Sequence, residues 1–177
     1  MQIISTRCRT FEYTVTAKGP CAVDMEWGIG VRKCFDDCLR VSVGVGRGDL
    51  TLTGAAVRTV LRIAAETDAR EVVIDGVAHV PGDRISATGQ VDVLSALADT
   101  LDVLVEITER LEQRGERVHL MPFGWHKDCH TEAEVGPGAR QIIRLPVDGH
   151  VPAHPGFRGI HPLAGRRRRG RCVPGSC

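Results

Sequence analysis

The chain has no apolar run approaching the roughly 18 residues that a membrane-spanning helix needs. Its first residues, Met1-Gln2-Ile3-Ile4-Ser5-Thr6-Arg7, lack the basic stretch, apolar core and small-residue cleavage site of a secretory signal. The expected compartment is therefore the cytoplasm, with no membrane partner. A paired cysteine framework is missing too. Cys8, Cys21, Cys34, Cys38, Cys129, Cys172 and Cys177 make an odd count, so reduced thiols are expected. No internal repeat occurs. Lysine is scarce, three against twenty arginines, an excess that reads as coding bias.

What is present is ordinary for a globular chain. The 177 residues are 42% hydrophobic and 25% charged, enough for one domain with a sizeable core. The net charge of +1 conceals an asymmetry. Residues 1–144 carry 17 basic and 21 acidic side chains, whereas residues 145–177 carry six and one. An acidic body followed by a basic tail points to a polyanion as partner.

Periodicity supplies the elements. Gln2–Cys8 and Phe11–Ala17 read as two short strands, the second alternating aromatic or β-branched residues with polar ones. Residues 21–37 show no clean period and read as an irregular connection. Cys38–Val45 alternates again and is expected to be a strand. A helix is expected over Thr53–Thr67, capped by Thr51 or Thr53, with Val57, Val60, Leu61 and Ala64 on one stripe. Glu71–Ile74 is a short apolar strand, and Gly76–Gly89 reads as a loop. The clearest helix is Val91–Arg114, with Leu94, Leu97, Leu101, Leu104, Val105, Thr108 and Leu111 in helical phase and Gly115 at its stop. Short strands are expected at Val118–Met121, Lys127–Glu134 and Gln141–Leu145. The fold class is thus α/β (α+β), a mixed, curved β-sheet with helices packed on it. Two helices cannot cover both faces of a wide sheet, so curvature or a second subunit must close the other face. Residues 1–145 form the expected domain. Residues 146–177, rich in Pro, Gly, His and Arg, lack any apolar period and are expected to form a mobile basic tail.

The chemistry-bearing residues follow two of these strands. His79 comes shortly after Glu71–Ile74, and His126 and Lys127 follow Val118–Met121 across Pro122-Phe123-Gly124-Trp125. Loops at strand ends are where α/β layers bind ligands. If the two strands are neighbours, His79 and Lys127 can face one pocket. A lysine there suits a phosphate or an ester carbonyl oxygen; the plainer reading is a solvated strand-edge lysine. Cys34-Phe35-Asp36-Asp37-Cys38 with His126, Cys129 and His130 has poor spacing for zinc, and no metal is expected. Gly44-Val45-Gly46-Arg47-Gly48 lacks the lysine-serine/threonine ending of a phosphate loop and reads as a strand exit.

Val77-Ala78-His79-Val80, a long helix, and then Val118-His119-Leu120-Met121-Pro122-Phe123-Gly124-Trp125-His126-Lys127 resemble the N-terminal editing domain of archaeal-type threonyl-tRNA synthetases. That family shows an Ala-His-Leu loop, a later Ala-Pro-Phe-Gly-Trp/Tyr-Tyr-Lys turn, and a Glu-Tyr-Glu-Val strand that Phe11-Glu12-Tyr13-Thr14-Val15 resembles. The resemblance spans residues 1–145 in order. It implies a D-aminoacyl-tRNA deacylase-like fold, a homodimer and no cofactor. It also implies hydrolysis of the ester of seryl-tRNA mischarged for threonine, with His79 and Lys127 catalytic. Ala78, Phe123, Trp125, His126 and Gln141 would shape the pocket for the acylated 3′ adenosine. Such a pocket answers a physical need, because one methyl group is worth only about 1–3 kcal/mol of discrimination in the first site.

Two departures stand out. His126 replaces the family's tyrosine. With the glycines of Gly136-Pro137-Gly138-Ala139-Arg140-Gln141 matched, Gln141 replaces a glutamate, and a slip of one residue puts Arg140 there. If these 177 residues are the full product, action in trans on aminoacyl-tRNA is expected, beside a separate threonyl-tRNA synthetase. Arg166, Arg167, Arg168, Arg169 and Arg171 would grip the RNA backbone. The alternatives are a binding module that holds an aminoacyl nucleotide without cleaving it, and a D-aminoacyl-tRNA deacylase.

Overall fold

The first strand does not stop where its sequence suggests. In the computed structural model, β1 runs unbroken over Gln2–Lys18. It joins β2 (Arg32–Val45), β3 (Glu71–Ala78), β4 (Val118–Leu120), β5 (Trp125–Ala133) and β6 (Arg140–Arg144), with helices α1 (Thr53–Thr67) and α2 (Gly89–Glu112) between strands. The residues described are 1–23, 28–78 and 89–146, the first six of the last segment as helix backbone only. His79 and the tail from residue 147 therefore lie outside the described residues.

The sheet is mixed, in the order β4-β3-β2-β1-β5, with β6 also pairing β1. β3 runs parallel to β2 and to β4, while β1 is antiparallel to β2, β5 and β6. Strand β1 is long enough to take two partners on one edge. Its first half pairs β6, from Gln2 opposite Arg144 to Thr6 opposite Arg140. Its second half pairs β5, from Cys8 opposite Ala133 to Lys18 opposite Trp125.

The alternation of buried residues slips by one in the middle of β1 and β2 together. Ile3 faces the helices with Leu39, Val41 and Val43, whereas Cys8, Phe11, Tyr13 and Val15 join Phe35 and Cys38 in a second core. The slip falls at Arg9 and Asp37, the one cross-strand position missing from an otherwise continuous register, and Asp37 takes φ +61°. An irregularity there re-aims every later side chain and bends the strands. That explains why the sequence reads as two short strands.

The helices cover one face only. Ala56, Val57, Val60, Ile63 and Ala64 of α1 and Val103, Leu104, Ile107 and Leu111 of α2 pack on Val72 and Ile74. The expected caps are not used as such. The N-cap of α1 is Leu52, and Thr51 and Thr53 instead donate to the carbonyls of Gly48 and Leu50. Val105, placed on the stripe of α2 by its spacing, is exposed. The Gly44–Gly48 stretch is a strand exit, and the Gly46 amide is spent on Asp49. Asp49 also holds the Met1 α-ammonium at 2.9 Å, a buried pair that ties the start of β1 to this turn.

Curvature closes the other face. Tyr13 on β1 and His119 on β4 stand three pairings apart, about 14 Å in a flat sheet. Yet Tyr13 Oη lies 2.8 Å from His119 Nε2. The sheet therefore rolls inward around Phe11, Tyr13, Phe35, Val73 and Met121.

Candidate functional site at the mouth of the rolled sheet

β5 enters beside β1 with Val15 opposite Lys127 and Ala17 opposite His126, so β1 bulges at Thr16. Cross-strand partners share a face. Val15 is fully buried in the inner core, so Lys127 points inward while His126 and Asp128 lie exposed on the other side. The Lys127 side chain is only 11% exposed. It donates to Asp75 Oδ1 at 3.1 Å and to the Pro122 carbonyl at 2.9 Å. Asp75, on β3, shares the inner face with Val73 and is again three pairings from β5. Its second oxygen accepts from Arg40 Nη2 at 3.3 Å. Arg40 lies over the Phe11 ring, 4.9 Å from its centroid, and its buried Nε finds no acceptor among the described residues. One carboxylate thus lies between two cations.

Deeper in the roll, burial, with Cys129 and Asp75 adding to it, pushes the Tyr13 phenol up to about 12. Burial, helped by Lys33, pushes His119 down. Both groups stay neutral near pH 7, and the phenol can donate to Nε2. The sign of the resulting pH dependence follows. The unfolded imidazole takes up a proton as pH falls through about 6.5, before the folded one does. Stability present above that pH is therefore lost below it, down to the folded value. Urea midpoints of the native protein should fall more between pH 7.5 and pH 5.5 than those of His119→Gln; equal falls would show that His119 does not carry the effect.

The structure separates the other residues named from sequence. Ala78 is the last residue of β3 and packs on the helix-side core, as does buried Phe123. Trp125 donates its indole N–H to the Val23 carbonyl at 2.7 Å and lies partly buried beside the inner core. Gln141 pairs with Ser5, ten residues along β1 from Val15, or about 30 Å of strand. Its amide donates to Gly138, so neither it nor Arg140, opposite Thr6, stands with Lys127. Arg166 to Arg171 lie outside the described residues. The sequence reading missed Asp75, Arg40, Tyr13 and His119. The available signals were an acid at the end of an apolar strand and an arginine inside an alternating one.

No group of three or more potential metal-ligating side chains occurs among the described residues. The five described cysteines are free thiols. No helix among the described residues is long and apolar enough to cross a membrane. A polar cavity of about 210 Å³ lies at the opposite end of β3 and β4, lined by Cys34, Asp36, Arg70, Glu71 and Arg117. Its two arginines are matched by two carboxylates, and it takes no part in the Lys127 cluster.

No protein-family model matches the chain, and no curated protein matches it. The resemblance to threonyl-tRNA synthetase editing domains therefore rests on the motifs alone. Among solved structures, the chain is similar to one titled c-Myc DNA Unwinding Element Binding Protein. That match has a TM-score of 0.54 and 13% identity, and covers 82% of this chain and 99% of the other. At that identity the likeness is one of fold.

Proposed function

We propose that the protein hydrolyses the ester of a mischarged aminoacyl-tRNA, seryl-tRNA for threonine, acting in trans. One observation carries this reading. The Lys127 ammonium sits 3.1 Å from Asp75, a side chain of the strand whose sequence leads to His79 four residues later.

The chemistry follows from the geometry. An ammonium has three N–H donors, and two are engaged by Asp75 and Pro122. The third serves the ester carbonyl oxygen, where negative charge builds as water attacks. The water oxygen bonds to the acyl carbon, and the bond from that carbon to the ribose oxygen breaks. The ribose oxygen takes one proton, and the other goes to solvent as the amino acid leaves as a carboxylate. His79 orients the water or the substrate. A fixed cation where charge develops is worth most when partly shielded from water.

Purified protein incubated with seryl-, threonyl- and D-aminoacyl-tRNA tests this. Serine-selective release is expected, falling about 100-fold in Lys127→Met and strongly in His79→Ala. Asp75 keeps Arg40 as partner in Lys127→Met, so that variant should fold. Unchanged turnover in both variants would refute the reading. Deleting residues 146–177 should weaken tRNA binding and flatten its salt dependence. A second reading draws on the placement of Gln141: no motif carboxylate faces Lys127, and the site holds an aminoacyl nucleotide without cleaving it. Tight binding with no turnover of any of the three substrates would favour it.

A further inference from the structure

A lysine on a strand ordinarily carries its charge out to water, and holding its four-carbon stem in one geometry costs entropy. Lys127 is held all the same, by a carboxylate on a strand three pairings away. That carboxylate is itself held. Asp75 is 16% exposed, and each of its oxygens takes one cation. Arg40 is partly exposed, but its Nε is buried and its guanidinium is held over the Phe11 ring. The backbone under Asp75 is fixed as well. A Cβ on the next residue, Gly76, would lie 2.1 Å from Leu104 Cδ1, so β3 packs directly on α2 at this point.

We propose that Asp75 is the positioning residue of the site and Arg40 its brace. The chain runs Phe11 ring, Arg40 guanidinium, Asp75 carboxylate, Lys127 ammonium, with each member fixing the next. Two cations on one carboxylate leave one positive charge over, directed at the oxygen that becomes negative during ester cleavage. Asp75 thus supplies, from β3, an acidic partner at a site to which Gln141 brings none. The catalytic consequence rests on the deacylase reading; the positioning itself does not.

The scarcity of lysine makes the test direct. With Lys18, Lys33 and Lys127 the only lysines, ¹⁵N-lysine labelling gives three side-chain ammonium signals, and Lys127→Arg assigns one of them. The Lys127 signal is expected to be protected from exchange in the native protein. In Asp75→Asn it should be lost, and in Arg40→Gln weakened, with Arg40→Lys restoring it in part. In the deacylation assay Asp75→Asn should lower kcat about tenfold or more and leave KM for tRNA near its native value. A Lys127 signal unchanged in Asp75→Asn overturns the proposal. If Asp75→Asn fails to fold, Arg40→Gln decides: an unchanged signal there overturns the brace and the chain through it. A protected signal that depends on Asp75, in a protein that cleaves no aminoacyl-tRNA, refutes the deacylase reading and leaves the positioning standing. Native kcat in a folded Asp75→Asn protein overturns the catalytic consequence of the positioning and leaves the deacylase reading standing.

Discussion

Replacing Arg7 by methionine is expected to lower the unfolding free energy by about 3 kcal/mol or more. Arg7 is a strand residue only 5% exposed. Its guanidinium donates to the carbonyls of Thr67 at 3.0 Å, Cys8 at 3.1 Å, Cys38 at 3.3 Å and Asp68 at 3.3 Å, and it pairs with the Asp37 carboxylate. The ion pair is the smaller part, because Asp37 is 43% exposed and can return to water. The carbonyls are the larger part. Cys8 and Cys38 sit where β1 and β2 both slip, and Thr67 and Asp68 end α1. Methionine fills similar volume but offers no donor, so these oxygens lose a partner where water has little access. Lysine should not rescue, since a point charge cannot serve a fork of donors. Urea denaturation measures the effect. A loss below 1 kcal/mol in Arg7→Met would mean that the slip in the two strands holds without its guanidinium.

Arg7 also shows where the sequence stopped being readable. Helices α1 and α2, the extent of the domain's sheet and its mixed character follow from apolar spacing, because one apolar face repeats over many residues. The continuity of β1 does not, because a paired irregularity at Arg9 and Asp37 inverts the alternation halfway and imitates a break. The start of β2 was hidden for the same reason: Cys34-Phe35-Asp36-Asp37 has no single phase. Motif order put Lys127 on the chain segment after the long helix, where the structure has it in contact with β3 through Asp75; His79 lies outside the described residues. The charges that tune Lys127 were not. Asp75 lies one residue beyond the apolar run Val72-Val73-Ile74 and looks like the start of a loop, while β3 continues to Ala78. Arg40 looks like an outward residue of an amphipathic strand. Only the roll of the sheet turns that face inward, and curvature is a long-range property that no local period encodes.

Gly124→Ala is expected to be nearly as damaging as the loss of Arg7, and its damage should reach the site. Gly124 takes φ +77°, which alone disfavours alanine by about 1–2 kcal/mol. A Cβ there would lie 2.2 Å from the Cys21 carbonyl oxygen, 2.5 Å from its carbon and 2.7 Å from the Ala22 nitrogen. All three are backbone atoms, which cannot swing aside as a side chain could. Gly19 meets the same turn from the other side, where a Cβ would come within 2.2 Å of the Gly124 oxygen. The turn after β1 and the turn before β5 therefore touch backbone to backbone, and the Val23–Trp125 hydrogen bond closes the contact. Pushing them apart moves Pro122 and Lys127, which flank Gly124, relative to each other and to Asp75. The steric part should add about 1–3 kcal/mol. Gly115→Ala is the control: it shares a positive φ, +87°, but a Cβ there meets nothing within 4 Å. Gly115→Ala should therefore show only the conformational loss and keep the protected Lys127 signal. Gly124→Ala should lose more stability and that signal together. Equal losses in the two variants would mean that the close approach of the two turns contributes nothing to holding the ammonium in place.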